Sequence, residues 1–310
     1  MIYLIAVFVC LVLVLNLNAL YKRTNHFNNQ FVDVKKYWKP SSLRQNLDLV
    51  NLGSNHPKFG FDYSECNVAG ENLAIGPQTF EYDFAVLRHN IGRLKKSATV
   101  LIPVCLLKFF LYRQENRSVH AKYYTFLPAK DIVGYNLFEK FSKITFPLLF
   151  NPKRLRFLIK DVKKDNRLNL ETNPNTDESF LLKDAQNWMK CWEREFNISF
   201  DSLKLSDKNK NDIQKNIEIL KDTLAYCKQN ELNPVITILP VTRYLSSQFS
   251  EEFIQDHILA YIEKANTINA PVLNYLKDER FTAPEYYINS FFMNRVGAKM
   301  FTKEVMKNIV

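Results

Sequence analysis

Glycine is scarce in this chain, with seven among 310 residues. Four of them, Gly53, Gly60, Gly70 and Gly76, fall within one short span, so the positions that demand backbone freedom are gathered there. Cysteine is thin and scattered: Cys10, Cys66, Cys105, Cys191 and Cys227 have no metal-ligand spacing. Outside the N-terminal apolar segment they leave room for at most two disulfides and show none. The five histidines, His26, His56, His89, His120 and His257, lack pairwise ligand spacing too, so neither a metal site nor a cofactor is expected. A nucleic-acid motif is also missing. The net charge of +10 suits an anionic surface or glycan, but Lys and Arg are spread along the chain and nucleic acid is not an expected partner. What is present is 46% hydrophobic and 24% charged, an ordinary globular composition that excludes disorder, with 14% aromatics.

Ile2 to Leu20 are almost unbroken Ile, Val, Leu, Ala and Phe, interrupted by Tyr3, Cys10, Asn16 and Asn18. At about 1.5 Å per residue such a helix just crosses a bilayer core of about 30 Å. No basic region precedes it and the small-residue pattern near Asn18-Ala19 is poor, which favours an anchor over residues 1–21 rather than a cleaved signal. A single-pass protein of the cell membrane is therefore expected. Lys22, Arg23, Lys35, Lys36 and Lys39 follow the segment and by the positive-inside tendency hold the body in the cytoplasm, at odds with an exported body; the side stays open. Residues 22–44 read as a polar tether.

The body, 45–310, alternates strand and helix signals. Leu47 to Leu52 is an apolar run that stops at Gly53-Ser54, a strand entering a tight turn. A second apolar piece ends at Gly76-Pro77. An amphipathic helix over Glu81–Lys95 and a buried strand over Ala98–Leu107 complete a βαβ unit. From about 108 to 197 the pattern reads as a mostly helical insertion with an exposed loop over Asn166–Glu178; its basic-aromatic stretch reads as a solvated face or a membrane contact. Alternation then returns: helix Asp212–Gln229, strand Asn233–Val241, helix Ser250–Ala265 with Ser250 as N-cap, strand Ala270–Leu276 and a last helix from Arg295. The expectation is a three-layer α/β fold, flavodoxin-like, on four or five parallel strands.

Four blocks carry a resemblance: Asn51-Leu52-Gly53-Ser54-Asn55-His56, Asn72 through Thr79, Val235 through Val241, and Asn294 through Phe301. In their order and spacing the chain resembles the SGNH/GDSL hydrolases, closest to the membrane-anchored branch among teichoic-acid D-alanyl-transfer and surface-polysaccharide acyl-modifying proteins. The resemblance implies Ser54 as nucleophile on an ester carbonyl, with the oxyanion held by the backbone of Ser54 and Gly76 and by the Asn72 amide. The family's Asp-x-x-His is not kept. Asn289 stands where the aspartate belongs and Phe292 where the histidine belongs, and no histidine follows His257. His56 is the candidate substitute base.

Two readings follow from this. One is a membrane-anchored serine esterase or O-acyltransferase modifying a bacterial cell-surface polysaccharide, with an atypical base. The other is a catalytically inactive relative that assists polysaccharide assembly. The partners implied are the membrane, a glycan or acylated substrate, and a membrane-bound acyltransferase.

Overall fold

A computed structural model describes residues 2–111, 120–159, 177–200, 202 and 204–309. The principal elements in chain order are α1 (Ile2–Arg23), β1 (Leu47–Asn51), α2 (Asn55–Gly60), β2 (Gly70–Asn72), α3 (Phe80–Asn90), β3 (Leu94–Pro103), α4 (Glu178–Phe196) and α5 (Asp207–Gln229). They continue with β4 (Asn233–Ile238), α6 (Glu251–Ile254, passing through a π-helical turn into Ala260–Ala265), β5 (Val272–Asn274) and α7 (Arg295–Lys307). Contacts divide the chain into two units, one of Met1–Leu43 with Glu115–Leu168 and one of Arg44–Gln114 with Asn169–Val310.

The second unit holds the sheet. Its five strands are all parallel in the order β2-β1-β3-β4-β5, the flavodoxin-like order. β4 is buried at every position after Asn233 and apolar at all of them but Thr237, as suits a strand covered on both faces. On one face Leu49, Leu101 and Val235 pack with Phe301 and Val305 of α7. α3 and α6 each pack against α5, which also contacts β4. Ser250 caps α6, accepting from the Phe253 N–H at 3.0 Å, as its position before Glu251-Glu252 predicts. α5 starts five residues before the expected Asp212, because Ser206 accepts from the Asn209 N–H and caps it there.

β3 is displaced from the expected Ala98–Leu107. It begins at Leu94, opposite Leu47, and a bulge with Ser97 at φ +62° takes up the slack before Thr99 meets Leu49. Lys95 and Lys96 turn to solvent, where they meet Asp48 and Glu231, so a strand end was hidden behind helix-like charges. Val104–Leu107 consequently lies beyond the sheet. β1 and β3 lie side by side while β2 sits on the far flank of β1, so the switch in winding direction falls between the carboxyl ends of β1 and β3. Sites in such sheets form at that crevice.

The first unit contains α1, long and apolar enough to cross a membrane and almost wholly exposed along its length. The segment 22–44 is better packed than a polar tether. Thr24 caps a short helix (Asn25–Asn29), Phe27, Phe31, Val34 and Tyr37 are buried, and Tyr37 stacks on Phe126 at 4.2 Å. Short helical turns at Leu137–Lys140, Pro147–Phe150 and Arg156–Ile159 belong to the same unit. Of the exposed loop expected at Asn166–Glu178, residues 166–176 lie outside the described residues.

Candidate functional site

β1 delivers the chain to Gly53, whose φ of +116° is closed to most side chains. A Cβ there would also lie 2.2 Å from the Pro57 ring, so both backbone and space require glycine. Ser54 follows at the N-cap position of α2, yet its hydroxyl does not cap that helix. Instead it accepts a hydrogen bond from the Gln78 N–H at 3.0 Å. The loop after β2 runs alongside, with the Ile75 N–H donating to the Gly53 carbonyl at 2.9 Å. Gly76 closes the approach: a Cβ there would overlap the Asn55 side chain, which reaches over it. Ser54, Gly76 and Gln78 are thus brought together at the crevice.

Asn72 is not part of that group. Its amide donates to the carbonyls of Pro57, Lys58 and Phe61 at the end of α2, and its oxygen accepts from Asn51 and the Ala74 N–H. It lines a different cavity, beside Phe61 and Arg295. The role the structure gives it is a clamp joining β1, β2 and α2.

His56 is buried, its ring 4.4 Å from that of Phe291. Nε2 lies 3.2 Å from the Pro240 carbonyl, which only accepts, so Nε2 carries the proton and Nδ1 keeps a lone pair. That Nδ1 is buried without a hydrogen-bond partner. Burial holds the imidazole down at about 4, so it is neutral at pH 7.

Asn289 and Phe292 do structural work. The Asn289 carboxamide oxygen accepts from the Phe291 and Phe292 N–H groups at 3.0 and 2.7 Å, folding the turn on itself. Phe292 stacks on Phe291 at 4.8 Å, and both meet Trp188 of α4 edge to face. The turn is pinned from α4, where Asp184 accepts from the Ser290 N–H and hydroxyl.

These rings, with Trp192, Leu106 and Leu107, wall a cavity of about 160 Å³ that Ser54, His56 and Cys105 also line. Burial pushes the Cys105 thiol up to about 12, which removes it as a nucleophile at neutral pH. At its edge Lys108 is fully buried, its ammonium 3.1 Å from the equally buried Asp83 carboxylate and donating to the Gln78 carbonyl at 2.7 Å. The Gln78 side chain in turn donates to Asp83 and to the Gly53 carbonyl. Burial raises the Asp83 carboxyl, with Lys108 opposing. Gln78, Asp83 and Lys108 therefore form one polar braid behind Ser54. Gln78 was in view as part of the second block; Asp83 and Lys108 are far apart in sequence, and only a lone lysine ending an apolar run hinted at the pair. Among the described residues no three His, Cys, Asp or Glu side chains gather as a metal cluster.

No protein-family model matches the chain, and a search of curated proteins finds no match. The site therefore rests on its own geometry: a serine hydroxyl at the switch point, one backbone donor on it, an aromatic wall, and a histidine, His56, bonded to the Pro240 carbonyl and not to Glu195, the carboxylate lining the same cavity.

Proposed function

We propose that this chain is a membrane-anchored SGNH-like protein that takes part in acyl modification of a bacterial cell-surface polysaccharide as a non-catalytic partner. The observation that carries the reading is the filling of the base's place. Asn289 spends its carboxamide oxygen on the turn, and Phe292 is locked among Phe291, Phe59 and Trp188. A serine without a base is a poor nucleophile at neutral pH. The glycan role is supported by the resemblance of the four sequence blocks, and the anchor by the length and apolarity of α1.

A second reading keeps Ser54 as the nucleophile of an esterase or O-acyltransferase with His56 as base. The unpartnered Nδ1 lone pair of His56, at the same cavity, favours it. Hydrolysis of p-nitrophenyl acetate by the full-length chain in detergent separates the two. The non-catalytic reading expects equal rates for the native chain and Ser54→Ala. A rate that vanishes in Ser54→Ala and in His56→Gln establishes the enzyme instead. Installing Asn289→Asp with Phe292→His is expected to raise the rate by about two orders of magnitude or more if the Ser54 site is otherwise intact.

A further inference from the structure

The first unit exposes several large apolar side chains outside α1. Leu137 is 56% exposed, Phe138 63% and Leu149 56%, and Phe141, Phe150 and Leu155 are exposed beside them. Phe138 and Phe150, from separate helical turns, meet edge to face at 5.0 Å and still present themselves outward. Between 137 and 159 lie five cations, Lys140, Lys143, Lys153, Arg154 and Arg156, against the single anion Glu139. Apolar rings framed by Lys and Arg are the composition of a surface that lies in a lipid interface.

What identifies the occupant is the attachment of these turns to α1. The Asn18 side chain donates to the Thr145 carbonyl at 2.8 Å and accepts from the Leu148 N–H at 3.3 Å. Just beyond, His26 stacks on Phe157 at 3.5 Å while its Nδ1 meets the Tyr21 hydroxyl at 2.8 Å. Asn18 lies 16 residues past Ile2, about 24 Å along the helix at about 1.5 Å per residue, close to the far boundary of a hydrocarbon core of about 30 Å. The exposed rings are therefore held at the depth where a bilayer ends, beside Lys22 and Arg23.

We infer that residues 137–159 form a second membrane contact, a wedge lying in the plane of the bilayer surface with its apolar side chains among the acyl chains and its cations on anionic lipid headgroups. It fixes the tilt of α1 and the height of the unit above the membrane. The inference rests on α1 remaining uncleaved and spanning, the anchor part of the proposed function.

The test is photocrosslinking of the full-length chain in vesicles of phosphatidylcholine and phosphatidylglycerol, with p-benzoylphenylalanine in place of Phe138, Phe150 or, as control, the exposed Phe180 of α4. Phenylalanine positions keep the substitution near in shape. The expected result is a lipid adduct at Phe138 and Phe150 several-fold above Phe180, reduced by Lys140→Glu with Arg156→Glu. No excess over Phe180, or an adduct with the mass of a second copy of the chain, overturns the wedge. Alkaline carbonate extraction of the same vesicles reports the anchor separately. A chain retained without adducts refutes the wedge alone, whereas a chain released refutes the span and the wedge with it.

Discussion

Replacing Lys108 with methionine tests the braid behind Ser54. The ammonium and the Asp83 carboxylate are 2% and 1% exposed, so water neither screens the pair nor rescues the survivor. Removing one partner of a buried pair costs about 3–5 kcal/mol, because the remaining charge has no compensation. For a unit of this size that is a fall in Tm of about 6–20 °C, taking about 2–4 °C per kcal/mol. The loss acquires a pH dependence. Burial already raises the Asp83 carboxyl, and without Lys108 only the hydrogen bonds from Gln78 and the Gly53 backbone oppose that rise. The folded state then holds a proton that the unfolded chain has released, so stability falls as pH rises from about 4, the unfolded carboxylate value, through the raised folded value. Adding Asp83→Asn to Lys108→Met removes the stranded charge and is expected to recover most of the loss and flatten the pH profile. The assay is thermal unfolding of the full-length chain in detergent, followed by tryptophan fluorescence between pH 4 and 8. A single mutant melting within about 2 °C of the native chain, or a double mutant no better than the single, would refute the argument that this ion pair supports the loop.

Two further outcomes follow from single residues. Gly53→Ala places a Cβ against Pro57 at a left-handed φ and is expected to cost about 1–3 kcal/mol from the backbone alone, read as a lowered denaturation midpoint. His56, held down at about 4 when folded against about 6.5 when unfolded, contributes stability that is complete above pH 6.5 and lost as pH falls toward 4, worth about 3 kcal/mol across that window; melting curves of His56→Gln should lack that acid-side loss.

Much of the sheet was legible because β1, β4 and the second half of β3 are buried and read as apolar runs ended by glycine or proline. Leu47–Asn51 and Asn233–Ile238 needed no help from context. Leu94–Lys96 was illegible for the opposite reason: a strand that leaves the core carries charges, and its pairing with Leu47 is a tertiary fact. The elbow at Gly53-Ser54 was visible because glycine is rare enough for each one to carry information. Asn72 was misplaced because its amide serves three carbonyls of α2 that only folding brings within reach. The aromatic wall drew Trp188 and Trp192 from a segment without readable periodic meaning, since helix α4 earns its place through contacts with a turn about a hundred residues later.

The discontinuity of the two units also sets a timetable for synthesis. β3 ends at Pro103 and its neighbour β4 starts at Asn233, so 130 residues must be made before the strands can pair. At about 5–20 residues per second, one edge of β3 waits about 7–26 s on the ribosome. Throughout that interval Val100, Leu101 and Ile102 form an unmatched apolar edge, a template for pairing with the wrong chain. Meanwhile α1, long and apolar enough to cross a membrane, has long since emerged. The sheet is thus completed late, with the β3 edge open until β4 is made.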